Sequence, residues 1–171
     1  MTRIVIDTNV LVSAVVFGGK PMQALQLVEA LGIELTISNE LECELSETLT
    51  GKFGWASQQV TDVCDRLFRN ASRIKPIPRK GIVRDAGDDH VLALAIASGA
   101  SLIVTGDKDL LSLGSYRGID IVTPIEIHRA GHPWISTMTS RNRRLSMIFG
   151  NSGYQPAVCI SGSWGPGRQR V

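Results

Sequence analysis

The sequence predicts an α/β domain built on a parallel sheet, and three observations predict it. Short β-branched, apolar runs alternate along the chain with segments of helical length. Those runs are continuously apolar rather than apolar at every other residue, the pattern of strands covered on both faces. Acids stand directly behind two of them: Asp7 follows Arg-Ile-Val-Ile, and Asp107 follows Ser-Leu-Ile-Val-Thr-Gly. In open α/β sheets ligands bind beyond the carboxyl ends of the strands, where these acids fall.

Taken in order, residues 3–6 read as a buried strand. Residues 9–16 and 21–31 read as helices, the second with Pro21 in its first turn and Gly32 just past its end. Residues 34–37 form a second strand. Asn39 with Glu42 three residues on is a capping-box pattern that opens a helix to residue 49, and another helix runs over 57–70. Residues 74–77 carry too much proline for a central strand. Residues 88–98 form a nearly all-apolar, hence buried, helix that stops at Gly99. A strand over 101–105, a helical turn over 109–113, a last strand over 119–122 and a short helix from Pro124 to 129 complete the domain.

Composition bounds the class. The 171 residues are 43% hydrophobic and 20% charged, which excludes wholesale disorder and is enough for one core. No apolar run approaches the roughly 18–20 residues of a membrane span. The first residues meet an acid, Asp7, before a signal-type apolar stretch can build. Cys43, Cys64 and Cys159 are odd in number and lack CxxC spacing, so a disulfide or zinc framework is not expected and a reducing cytoplasm is. Gly18-Gly19-Lys20-Pro21 lacks the spacing of a phosphate loop. Charge divides the chain: residues 1–129 hold 13 Lys+Arg against 16 Asp+Glu, a net of −3, whereas residues 130–171 hold five arginines and no acid. We read 1–129 as the domain and 130–171 as a basic, Gly/Ser-rich, poorly ordered extension.

Beyond Asp7 and Asp107, the helix over 39–49 offers a third acid. At about 100° per residue, Glu44 borders the arc of Leu41, Leu45 and Thr48. Glu42 points nearly opposite, and Glu40 and Glu47 turn to solvent. A fourth stands at the entrance of the apolar helix, where Asp88 and Asp89 exceed what capping needs; spacing does not decide which is a cap and which a ligand. His90 behind them reads as a surface or supporting residue. Four carboxylates within about 5 Å repel at roughly 3 kcal/mol per pair at an effective dielectric of about 20. Such a cluster protonates or binds cations. All-oxygen donors suit Mg²⁺ or Mn²⁺ rather than zinc, the usual device for phosphoryl chemistry.

The segment Ile6-Asp7-Thr8-Asn9-Val10-Leu11-Val12-Ser13 resembles the opening signature of the PIN-domain family. Ser38-Asn39-Glu40-Leu41-Glu42-Cys43-Glu44-Leu45, Asp85-Ala86-Gly87-Asp88-Asp89-His90-Val91-Leu92 and Ile103-Val104-Thr105-Gly106-Asp107-Lys108-Asp109 resemble its later segments, in order, and Ile121-Val122-Thr123-Pro124 its closing strand. The resemblance spans residues 3–129. It implies a three-layer fold with a central parallel sheet flanked by helices, and a metal-dependent endoribonuclease, most like the toxin of a bacterial toxin–antitoxin pair. It also implies that Asp7, Glu44, Asp88 and Asp107 bind Mg²⁺ or Mn²⁺ and carry catalysis. Asn9 and Thr105 would be polar supports, with Asp89 beside Asp88 and Asp109 assisting at the Asp107 position. Ala86-Gly87 departs from the family's usual proline and polar residue, and the chain after Arg129 does not match it.

The partners that follow are an RNA substrate, a cognate antitoxin and a second copy of the chain, with no membrane. For RNA the acid-free stretch with Arg66, Arg69, Arg73, Lys75, Arg79, Lys80 and Arg84 is the candidate backbone grip. Two rivals are a PIN-like module that binds RNA or protein without cutting, and a phosphoacceptor domain using Asp7 as nucleophile. The second rival wants a further Asp within a residue or two of Asp7, which Asp7-Thr8-Asn9 does not supply.

Overall fold

The computed structural model describes residues 2–76 and 89–128. Its elements are β1 (Arg3–Ile6), α1 (Thr8–Phe17), α2 (Gly19–Ala30), β2 (Glu34–Ile37), α3 (Asn39–Gly51), α4 (Ser57–Leu67), β3 (Ser72–Arg73), α5 (Asp89–Ser98), β4 (Leu102–Val104), α6 (Lys108–Ser112), β5 (Ser115–Tyr116) and β6 (Ile119–Val122), followed by a 3₁₀ turn over Glu126–His128. The strands form a six-stranded sheet in the order β3-β2-β1-β4-β6-β5, parallel except for the β5–β6 pair. Helices flank it.

Strand order reverses beside β1. The chain steps from β1 outward through β2 to β3, then returns across the sheet to place β4 on the other side of β1. Right-handed crossovers put the connecting helices before and after such a reversal on opposite faces, which opens a crevice at the carboxyl ends of the two central strands. Here those strands are β1 and β4, in the register Ile6 to Val104.

The continuous apolar runs pack as predicted. Ile4, Val5 and Ile6 and Leu102, Ile103 and Val104 are fully buried, covered by Val91, Leu92, Leu94 and Ala95 of α5 and by Leu11, Leu41, Leu45 and Leu49 of α1 and α3. Each such leucine contributes about 1.5–3 kcal/mol on burial. At the amino edge, Arg3 ties β1 to its neighbours: its Nε reaches Glu34 Oε2 at 2.9 Å and its Nη1 reaches the Ser98 carbonyl at 2.9 Å. Ser72 donates to the other Glu34 oxygen. That hydroxyl, the largest influence, holds the Glu34 carboxyl below its usual range; burial opposes it, and Arg3 adds to the lowering.

Several boundaries differ from expectation. The α1–α2 connection bends by 107° at Gly18, whose φ of +70° only glycine adopts freely, so α2 starts at Gly19 and Pro21 falls third in its first turn. Ser38, not Asn39, caps α3, its Oγ accepting from the Leu41 amide at 3.2 Å. The strand after α4 is Ser72–Arg73 at the sheet edge, two residues ahead of the proline-marked segment. Strand β5 was not anticipated. It pairs with β6 through a two-residue turn at Arg117 and Gly118, whose φ values of 51° and 79° fit a type I′ hairpin. The closing helix is a single 3₁₀ turn. Among the described residues no single helix is long and apolar enough to cross a membrane.

Candidate active site

The crevice between β1 and β4 is where two of the expected acids arrive. Asp7 leaves β1 as the N-cap of α1, with φ −61° and ψ 144°, and its Oδ1 accepts from the Asn9 amide at 3.3 Å. Its own amide donates to the Val104 carbonyl at 2.9 Å, which locks the end of β1 to the end of β4. Asp7 is only 5% exposed. Burial raises its carboxyl above the usual range, and the nearby Glu44 charge adds to that; Thr105, the Asn9 amide and His90 oppose it. A buried carboxylate at the mouth of a crevice is the chemistry a cation would relieve.

Thr105, fully buried at the end of β4, joins Asp7 to Asp107. Its hydroxyl donates to Asp7 Oδ2 at 2.6 Å and accepts the Asp107 amide at 2.9 Å. Asp107 then caps α6, its Oδ1 accepting from the Asp109 and Leu110 amides at 2.7 and 3.1 Å. Among the described residues Oδ2 of Asp107 takes no hydrogen bond. Asn9 is exposed and supports Asp7 through its backbone, and Asp109 is exposed on the first turn of α6.

Glu44 arrives from α3. Leu41, Leu45 and Leu49 seat one face of that helix in the core and leave Glu44 half-buried at its border, as its spacing predicted. The Thr8 hydroxyl, itself buried, donates to Glu44 Oε2 at 2.8 Å. Since Thr8 directly follows Asp7, this bond ties Glu44 to the Asp7 segment. His90 Nε2 lies 3.3 Å from the same Glu44 oxygen, close enough for an ion pair yet without hydrogen-bond alignment. The sequence held both residues in view, Thr8 inside the Asp-Thr-Asn signature and His90 behind the acid pair, but nothing in their spacing pointed to Glu44. Their contact with it is across helices and strands distant along the chain.

Asp89, the first residue of α5, is 4% exposed. Asp88 lies outside the described residues, as do Arg79, Lys80, Arg84 and the extension from residue 130. Among the described residues no three His, Cys, Asp or Glu side chains converge on one ion position. Asp7, Glu44 and Asp107 therefore share an edge of the sheet, bridged by Thr8 and Thr105, without forming a closed cluster by themselves.

The remaining basic residues separate. Arg73 and Lys75 stand at the carboxyl end of β3, on the same edge as the acids. Arg73 Nη2 reaches Glu42 Oε1 at 3.3 Å. Glu40 is held below the usual carboxylate range by its own backbone amide and the Ser38 hydroxyl, with smaller help from His90 and Lys75. Arg66 instead lines a groove with Glu29, Ile33, Asn70 and Ala71 at the amino end of the sheet, and Arg69 is exposed in the turn that leads into β3. Among the described residues of the acid-free stretch, Arg73 and Lys75 thus lie toward the carboxyl edge of the sheet and Arg66 and Arg69 toward the amino edge.

A family model described as PIN domain matches residues 3–109, more than half of the chain. Among solved structures, the chain is similar to VapBC2 from Rickettsia felis, described as bound to a DNA fragment from their promoter. The TM-score is 0.54 at 17% identity, with 71% of this chain and 98% of that chain covered. At that identity the likeness is one of fold. No curated protein matches the chain.

Proposed function

This chain belongs to the PIN-domain family, and we propose that within it the protein is a Mg²⁺- or Mn²⁺-dependent endoribonuclease, the toxin of a toxin–antitoxin pair. We take residues 1–129 as the nuclease domain and 130–171 as a basic extension. The single observation that supports the reading most is the buried Asp7 carboxylate at the strand-order reversal, linked through one threonine hydroxyl to Asp107. The donor set fits a hard divalent ion: oxygen-rich, partly buried and short of positive charge. Asp7, Asp88 and Asp107 would hold the ion, with Glu44 direct or through water.

A bound divalent ion supplies positive charge that activates a water and offsets charge on the phosphate. Water adds to phosphorus, one P–O ester bond breaks, and a phosphomonoester and a hydroxyl end result. The chain's own residues orient that chemistry. Thr105 fixes the Asp7 carboxylate against rotation and holds the Asp107 backbone in place. Thr8 fixes Glu44, leaving its second oxygen without a hydrogen bond among the described residues. Arg73 and Lys75, on the acid-bearing edge, would meet backbone phosphates of the RNA.

The reading is tested by incubating the full chain with single-stranded RNA and Mg²⁺ or Mn²⁺. Cleavage is expected in wild type and is expected to fall by roughly 10²-fold or more in Asp7→Asn. Equal cleavage by both proteins overturns the nuclease assignment, and RNA binding without cleavage favours the non-cutting module. Growth arrest on expression, relieved by a small co-encoded partner, tests the toxin role and a cytoplasmic site of action.

A further inference from the structure

We infer, resting on the ribonuclease reading of the crevice, that Arg141, Arg143 and Arg144 form a phosphate-binding arm that holds single-stranded RNA beside it.

Among the described residues the carboxyl edge of the sheet carries more acid than base. Asp7, Glu44, Asp107 and Asp109 stand there with Glu40 and Glu42 from the first turn of α3. Against them are Arg73, Lys75 and Lys108, and two of these already answer acids of α3. Arg73 pairs with Glu42 at 3.3 Å, and Lys75 interacts with Glu40. Even one divalent ion does not bring that edge to neutrality, and each nucleotide of RNA adds a further negative charge. A polyanion therefore needs positive charge from elsewhere in the chain.

The fold delivers the extension to this edge. Strand β6 runs parallel to β4 and ends level with it, Val122 opposite Val104. The Val122 carbonyl accepts the amide of Thr105 at 3.0 Å, the residue whose hydroxyl bridges Asp7 and Asp107. The chain thus leaves the sheet beside the acids. The Thr123 amide and hydroxyl donate to Glu126 Oε2 at 2.8 and 2.9 Å, and Ile127 is buried, which pins the departing chain up to His128. Thirteen residues lead from His128 to Arg141. Their full extension is about 45 Å, against a breadth of about 35 Å for a domain of this size. The crevice lies within that reach.

Arg141, Arg143 and Arg144 fall within four residues, and no acid occurs from residue 130 onward to pair with them locally. Guanidinium groups grip phosphate oxygens through paired hydrogen bonds, without reading the base.

The experiment compares full-length wild type with two triple variants, Arg141→Gln/Arg143→Gln/Arg144→Gln and the same three positions changed to Lys. Binding of a polyuridylate strand is measured in EDTA across a salt series, and cleavage of the same strand with Mn²⁺. The glutamine variant is expected to bind roughly tenfold or more weakly at about 0.1 M salt, with a salt slope lower by about two. Its KM is expected to rise while kcat holds, because the arm grips substrate and transition state alike. The lysine variant is expected to keep the wild-type slope, since the attraction is one of charge. Binding by the glutamine variant equal to wild type overturns the arm and leaves the nuclease reading standing. Tighter binding or faster cleavage also overturns it, because the arginines then meet the acids instead of the RNA. A lysine variant as impaired as the glutamine one overturns it as well, since charge is then not the cause. Weakened binding by the glutamine variant in a protein whose wild type does not cleave keeps the arm and removes the nuclease.

Discussion

Thr105 Oγ1 donates to Asp7 Oδ2 at 2.6 Å across a sequence separation of 98 residues, and the same oxygen accepts the Asp107 amide. One hydroxyl therefore sets the positions of two acids that the chain delivers from different strands. Thr105→Val keeps the shape and removes both bonds. It is expected to lower RNA cleavage by roughly 10–100-fold. It should also cost about 1–3 kcal/mol of stability, because a part-buried backbone amide and a buried carboxylate each lose a partner. Cleavage rates and denaturant midpoints of the two proteins check this, and a variant as active as wild type would remove the bridge from the mechanism.

Asp7 makes the metal-free protein pH-sensitive in a defined direction. Burial, the largest cause, raises its folded pKa above the ordinary carboxyl value of 3.8. The folded state thus holds the proton more tightly than the unfolded chain. The resulting penalty is absent below about pH 3.8, builds as pH rises toward the raised folded value, and is constant above it. Asp7→Asn removes that penalty. In EDTA the variant is expected to melt above wild type at pH 7, with the gap closing on acidification. Melting curves from pH 4 to pH 7.5 read it directly; a gap that widens toward acid would contradict the sign.

Within the acid pair, Asp88 is proposed as the ligand and Asp89 as the residue packed into the start of α5, where it is 4% exposed. Asp88→Asn is expected to weaken Mn²⁺ binding about tenfold or more with little change in melting temperature. Asp89→Asn is expected to move the melting temperature, as changes at buried polar positions do. Calorimetry and thermal melts on both variants separate the roles. A loss of metal affinity confined to Asp89→Asn would exchange them.

The basic residues should divide by sheet edge. Arg73 and Lys75 share the carboxyl edge with the acids, whereas Arg66 and Arg69 lie toward the amino edge. Lys75→Ala and Arg73→Ala are each expected to weaken binding of single-stranded RNA a few-fold and to reduce its salt slope by about one. Arg69→Ala is expected to leave both unchanged. Binding measured across a salt series tests this, and an equal loss at Arg69 would restore the whole stretch as one surface.

Much of this molecule follows from local sequence alone. Short, largely apolar runs at 3–6, 34–37, 101–105 and 119–122 are best satisfied as buried strands, and they became β1, β2, β4 and β6. An acid directly behind such a run lands at the carboxyl edge whatever the rest of the chain does, which is why Asp7 and Asp107 were legible. Glu44 was legible because helical periodicity is rigid: Leu41, Leu45 and Thr48 share one arc of the helix, and Glu44 falls at its border. Ser38 displaced Asn39 as the cap because capping depends on where the backbone leaves the extended region, a detail that side-chain preference does not resolve. The hairpin strand β5 escaped notice because two residues carry no periodicity.

Only the tertiary structure decided which atoms meet. The Thr8–Glu44 and Thr105–Asp7 bonds, the approach of His90 to Glu44 and the division of the basic residues all join elements far apart along the chain. Periodicity reports the face a residue presents to its own helix or strand, whereas the partner on that face is set by strand order and crossover direction. Those depend on how the whole apolar surface is buried at once, and no local stretch of sequence encodes that sum.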